Sequence, residues 1–117
     1  MSRRIWIAGV LLTGVAAGCA TLDQLAPPVE QIVVRTDQAD EQRLIRLRLG
    51  REIYVTGCAR CHSPEAVTAY APERWQVILP RMAEKAGLSA EERLVVTEYV
   101  TAVLAAAEHP TTTASPN

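Results

Sequence analysis

A glycine placed inside a helical stripe is the feature that most constrains how this chain folds. Helical signals begin near Asp37 or Asp40 and run toward Cys58 with no proline to interrupt, and Asp40 and Glu41 suit the positive end of a helix. Within that stretch Leu47, Gly50, Tyr54 and Cys58 recur at spacings of three and four, which aligns them on one face. A mid-helix glycine costs about 1 kcal/mol relative to alanine, so Gly50 implies a packing reason. The simplest is a second helix passing close by. The chain supplies a partner after Gly87-Leu88-Ser89: Ser89 reads as an N-cap, and Glu92 three residues on completes a capping box. Val96, Tyr99, Val100, Val103, Leu104 and Ala107 then follow the pattern of an amphipathic helix ending before Pro110. Between the two, Pro72 suits a first helical turn, and Trp75, Ile78, Leu79 and Met82 share a face. Pro80 removes a backbone donor and is expected to kink or break this helix just before Met82. No strand-period segment and no internal repeat competes. The expectation is a small all-α domain of three main helices.

The first helix runs into Cys58-Ala59-Arg60-Cys61-His62. On a helical turn Cys61 and His62 follow Cys58 by three and four residues, so two thiols and an imidazole converge. C-x-x-C-H is the spacing by which a c-type haem is attached covalently, the thiols bonding the porphyrin edge and the histidine lying under the iron. In an oxidising compartment Cys58 and Cys61 can instead close a disulfide, so spacing alone does not decide between haem and dithiol. A thiol-disulfide protein has no need of His62 directly after the pair, and no βαβ pattern of the thioredoxin kind is present. A structural zinc site fails on ligand count, since no second pair of donors closes a tetrahedron.

The compartment is read from the first eighteen residues. Arg3 and Arg4 precede an uncharged, mostly apolar run from Ile5 to Ala17 that is short for a bilayer span, and Val15-Ala16-Ala17-Gly18-Cys19 follows. Residues 1–18 read as an export signal. The small residues before Cys19 resemble the lipobox of bacterial lipoproteins, which implies cleavage after Gly18 and lipidation of Cys19; an uncleaved anchor and an ordinary cleavage site are the competing readings. Ser2-Arg3-Arg4 also resembles a twin-arginine signal, but c-type haem is attached outside the cytoplasm to a chain that crosses unfolded. Ala20 after the cysteine favours the outer over the inner membrane by the same resemblance. Cleavage takes the formal charge from −1 to −3, and no basic surface suggests nucleic acid as a partner. Residues 19–38, with Ala26-Pro27-Pro28, read as an extended tether, residues 39–108 as the domain, and residues 109–117 as a disordered tail.

Gly50 and Tyr54 before Cys58-x-x-Cys61-His62, with Tyr99 on the C-terminal helix, resemble the class I cytochrome c family over roughly residues 40 to 107. The resemblance implies crossed N- and C-terminal helices, a short middle helix and one covalent haem c, with Cys58 and Cys61 as attachment points and His62 as axial ligand. Trp75 and Met82 resemble the arrangement of its short members, which makes Met82 the sixth iron ligand. Tyr54, Tyr70, Trp75 and Tyr99 become candidates for haem packing or propionate contacts, with Arg74 a further propionate candidate.

Met82 is the sole methionine after the signal, and a thioether raises the potential of an electron-transfer iron. Its plain reading is core filling beside Trp75 and Ile78. His109 sits beside Pro110 at the edge of the tail, and Lys85 would have to lose its proton to ligate. An open sixth position would permit ligand binding instead. The expected function is therefore one-electron transfer between periplasmic redox partner proteins by a membrane-tethered monohaem cytochrome rather than an enzyme, including a role as the electron-accepting subunit of a dehydrogenase. Arg43, Arg46, Arg48 and Arg51 are readable either as a docking aid or as a solvated face.

Overall fold

Asp40 starts the first of the two helices that organise the domain. In the computed structural model, which describes residues 20–36 and 40–108, its Oδ1 accepts from the backbone N–H of Gln42 at 2.9 Å and of Arg43 at 3.4 Å. These are donors a helix start leaves unpaired. Among the described residues there are five α-helices in chain order: α1 Leu22–Leu25, α2 Val29–Thr36, α3 Glu41–Thr56, α4 Pro72–Lys85 and α5 Ala90–Glu108. Two 3₁₀ turns, Cys58–Arg60 and Val67–Ala69, lie between α3 and α4. Among the described residues there is no strand, so the domain is all-α. None of the described helices is long and apolar enough to cross a membrane.

The boundary between α4 and α5 follows the sequence closely. Gly87 adopts φ +67°, a left-handed conformation that glycine enters without a Cβ penalty. The Gly87 N–H donates to the Glu84 carbonyl at 3.1 Å and the Leu88 N–H to Ala83 at 3.0 Å, closing α4 with a Schellman motif. Two residues on, the Ser89 N–H donates to Glu92 Oε2 at 2.8 Å and the Glu92 N–H to Ser89 Oγ at 3.2 Å, the reciprocal capping box.

Gly50 lets α3 and α5 touch backbone to backbone. A Cβ built there would run into the Val95 carbonyl oxygen and lie 2.8 Å from Tyr99 Cβ. Around this contact Leu47, Ile53 and Tyr54 of α3 pack on Val95, Val96, Tyr99, Val100 and Val103 of α5, all buried. Burying a side chain such as Leu47 contributes about 1.5–3 kcal/mol. Arg46 ties the same two helices at the surface, with Nε and Nη2 on the Glu98 carboxylate at 2.9 and 2.8 Å and Nη1 on Glu91 at 3.1 Å.

The structure corrects two expectations. Residues 20–36, the described part of the segment read as an extended tether, hold two helices and are docked: Ala26, Val29 and Ile32 are buried, and the Tyr99 hydroxyl donates to the Pro27 carbonyl at 2.8 Å. Pro27 and Pro28 separate two short helices, and Val29, Ile32 and Val33 carry the apolar spacing that buries one face of α2. Arg51 donates to the Ala26 carbonyl at 3.0 Å and to Asp23 at 2.7 Å, and Arg48 pairs with Glu30 at 2.9 Å. Three of the four arginines of α3 are thus engaged within the molecule. Pro80, expected to kink or break the middle helix, does not break it: α4 runs on through this position to Lys85. Pro80 is exposed, as is Gln76 one turn earlier, so the carbonyl that loses its partner can be met by water. The proposed signal, Cys19, His109 and the tail lie outside the described residues.

Candidate functional site

The last turn of α3 delivers Tyr54, and past Gly57 the chain tightens into the 3₁₀ turn Cys58–Arg60, with Cys61 still in helical conformation at φ −98°, ψ −31°. Cys58 is half-buried, which pushes its thiol up from its ordinary value, whereas Cys61 is exposed. Both are free thiols. His62 follows, its Nδ1 2.8 Å from the Ser63 carbonyl oxygen. A carbonyl only accepts, so Nδ1 carries the proton and donates. That fixes the tautomer in which Nε2 keeps its lone pair for a metal.

Two hydrogen bonds hold the segment between the motif and α4. The Tyr54 hydroxyl donates to the Glu65 carbonyl at 2.6 Å, and the buried Trp75 indole N–H donates to the Val67 carbonyl at 2.7 Å. Val67 is fully buried beneath them. Burial raises the Tyr54 phenol above its ordinary range, so it remains a neutral donor at physiological pH. Trp75 meets Tyr54 edge-on at a centroid distance of 6.2 Å and Tyr70 at 5.6 Å, the geometry that aromatic quadrupoles favour.

Together these elements enclose a cavity of about 460 Å³. Cofactor and small-molecule sites span roughly 300–1,000 Å³, so its size is ordinary for one. Cys58, Cys61 and His62 line it, together with Tyr54, Tyr70, Trp75 and Met82. Ile78, Leu79, Pro64 and Ala86 make the remaining wall largely apolar, and Glu65, Arg74 and Lys85 add charge. A second cavity of about 440 Å³ lies between α4 and α5 and shares Trp75 and Leu79 with the first. It contains no cysteine, histidine or methionine, so the chemistry concentrates in the first.

Of the residues expected at the site, Tyr99 alone among those described lies elsewhere. It is fully buried in the helix crossing, 6.1 Å from the Tyr54 ring, with its hydroxyl on Pro27. Trp75 and Tyr54 line the cavity with their ring surfaces, their polar atoms being committed to backbone carbonyls. The acceptors at Glu65 and Val67 escaped the sequence reading because any residue supplies a carbonyl; for His62 the expected partner is Pro72 or a neighbouring backbone carbonyl, and the structure supplies the Ser63 carbonyl. The helical spacing did contain Ile78 and Leu79. No described side-chain nitrogen or oxygen is buried without a partner.

The donor set fits a covalently attached haem: two thiols three residues apart, an imidazole with its ligating nitrogen free, and a thioether on α4 lining the same apolar cavity. Cys58 and Cys61 would hold its edge, and His62 and Met82 its iron. No family model, no curated protein and no solved structure matches the chain.

Proposed function

We propose that the protein is a monohaem cytochrome similar to class I cytochromes c, which carries single electrons between redox partner proteins on the outer side of a bacterial membrane. A bound haem supplies an iron that alternates between ferrous and ferric states at a potential set by its axial ligands and surroundings. The observation that carries the reading is that Cys58, Cys61, His62 and Met82, drawn from two separate parts of the chain, all line one largely apolar cavity. Donation from His62 Nδ1 to the Ser63 carbonyl leaves Nε2 with the lone pair that an iron would take. Tyr54, Trp75, Ile78 and Leu79 exclude water, which stabilises the iron state of lower charge. Attachment through Cys19 would hold the domain at the membrane.

The raised Cys58 thiol speaks against a thiol-disulfide catalyst, whose attacking cysteine works through a lowered pKa. A zinc site is short of donors in the sequence itself, which offers no second pair of cysteines or histidines beside Cys58, Cys61 and His62 to close a tetrahedron.

Expression with a c-type haem attachment system tests the proposal. The protein should be red and keep its haem in a denaturing gel, and Cys58→Ala or Cys61→Ala should weaken or abolish that attachment. Colourless, folded wild-type protein would sink it. Met82→Ala should abolish the far-red methionine–iron charge-transfer band; a wild type without that band assigns the sixth position to another ligand or leaves it open.

A further inference from the structure

The chain contains no phenylalanine, and its aromatic residues beyond Trp6 are Tyr54, Tyr70, Trp75 and Tyr99. All four form one unbroken series of ring contacts: Tyr99 to Tyr54 at 6.1 Å, Tyr54 to Trp75 at 6.2 Å, and Trp75 to Tyr70 at 5.6 Å. Tyr54, Trp75 and Tyr70 line the cavity. Exposure rises along the series, from 4% at Tyr54 and 5% at Trp75 to 36% at Tyr70.

We propose that Tyr54, Trp75 and Tyr70 form a relay that drains oxidising equivalents from the cofactor cavity to the surface at Tyr70 when a hydroperoxide takes the place of Met82 at the iron. The proposal rests on the haem reading. Tryptophan and tyrosine rings give up an electron far more readily than phenylalanine, and rings in near contact exchange one without a long tunnelling gap. The polar atoms set the direction. Tyr54 donates its hydroxyl proton to the Glu65 carbonyl and Trp75 its N–H to Val67, and a carbonyl accepts a hydrogen bond without acting as a base. A ring oxidised there retains its proton, so the charge moves on. Tyr99 is closed in the same way by Pro27 and is fully buried, which makes it the blind inner end. Tyr70 is the member of the series that opens to water, which takes its proton and lets the radical settle there.

The chemistry balances without a further reductant. Two Tyr70 phenols, on two molecules, each lose one electron and one proton. One hydrogen peroxide takes both electrons and both protons as its O–O bond breaks, and leaves as two waters. The two phenoxyl radicals couple through a new carbon–carbon bond between their rings, and the iron ends in the state in which it began.

Hydrogen peroxide added to haem-loaded protein, with covalent haem verified on a denaturing gel, tests the relay. Wild type should form covalent dimers with dityrosine fluorescence, mapped by mass spectrometry to Tyr70. Tyr70→Phe should lose the dimers and move the damage inward, giving oxidised Trp75. Trp75→Phe keeps an aromatic ring but breaks the series, and its dimer yield should fall to that of a haem-free control. Dimers at the wild-type rate in Trp75→Phe, cross-links at another tyrosine, or no dimers from haem-loaded wild type would each overturn the relay and leave the haem reading intact. If Trp75→Phe does not fold, the Tyr70→Phe product decides: unmodified Trp75 with bleached haem overturns it. Absence of covalent haem overturns both.

Discussion

Replacing Gly50 with alanine tests the helix crossing from which both Tyr54 and Cys58 are presented. The added Cβ would collide with the Val95 carbonyl oxygen and stand 2.8 Å from Tyr99 Cβ. Neither neighbour is the far end of a flexible side chain. One is backbone in the middle of α5, and the other is a Cβ rigidly attached to it, so α3 and α5 must separate. Overpacking of this kind costs about 1–3 kcal/mol, and contact with backbone argues for the upper end. Alanine gains about 1 kcal/mol over glycine as a helix former, which offsets part of that. The net destabilisation is about 2 kcal/mol, since the upper end of the first term exceeds the second by that much. In a domain of about 60–100 residues, each kcal/mol shifts Tm by about 4–8 °C, so the melting temperature should drop by roughly 8–16 °C. Thermal and urea unfolding followed by circular dichroism measure this directly in wild type and variant. A Gly50→Ala protein as stable as wild type, or about 1 kcal/mol more stable as propensity alone predicts, would refute the close approach. Gly87→Ala is the control for backbone conformation: nothing stands within 4 Å of its would-be Cβ, so its cost comes from the positive φ alone.

The remaining predictions address the N-terminal helices, the thiols and the caps. Tyr99→Phe leaves the Pro27 carbonyl without its partner and should cost about 1–3 kcal/mol in urea unfolding; an unchanged midpoint would show that the α1–α2 segment does not depend on that bond. In haem-free protein an alkylating reagent should label the exposed Cys61 before the half-buried Cys58, whose thiol is pushed up by burial, and mass spectrometry of partly labelled protein reads the order. Faster labelling of Cys58 would contradict the burial argument. Hydrogen bonds from the Ser89 backbone N–H, then its side chain, hold the Glu92 carboxyl below the ordinary carboxylate range. Its charged form therefore stabilises the fold fully above that range, and the contribution fades as pH falls through the range toward the folded value. Glu92→Gln does not titrate there, so its urea midpoint should fall less steeply on acidification, and parallel curves would sink the assignment.

What the sequence disclosed and what it hid divide along the line between local and distant partners. Asp40, Gly50, Ser89 and Glu92 act within one helical turn or through a missing Cβ, and their residue types state that function outright. The motif from Cys58 to His62 is equally local, and Met82 joined it through the apolar face that α4 shares with Trp75. The α1–α2 segment went unseen because Pro27 and Pro28 argue against a helix continuing, while the contacts that dock it are remote. Tyr99 reaches Pro27 across 72 positions, and Arg51 reaches Ala26 across 25. Both acceptors are backbone carbonyls, which leave no trace in residue identity. The docking nevertheless bears on the site. Tyr99 is held by Pro27 at its hydroxyl and meets the Tyr54 ring, and Tyr54 in turn meets Trp75 in the cavity wall. Freeing the segment before Asp40 would release the first link of that series, so the region read as a plain tether supports the wall against which a cofactor would lie.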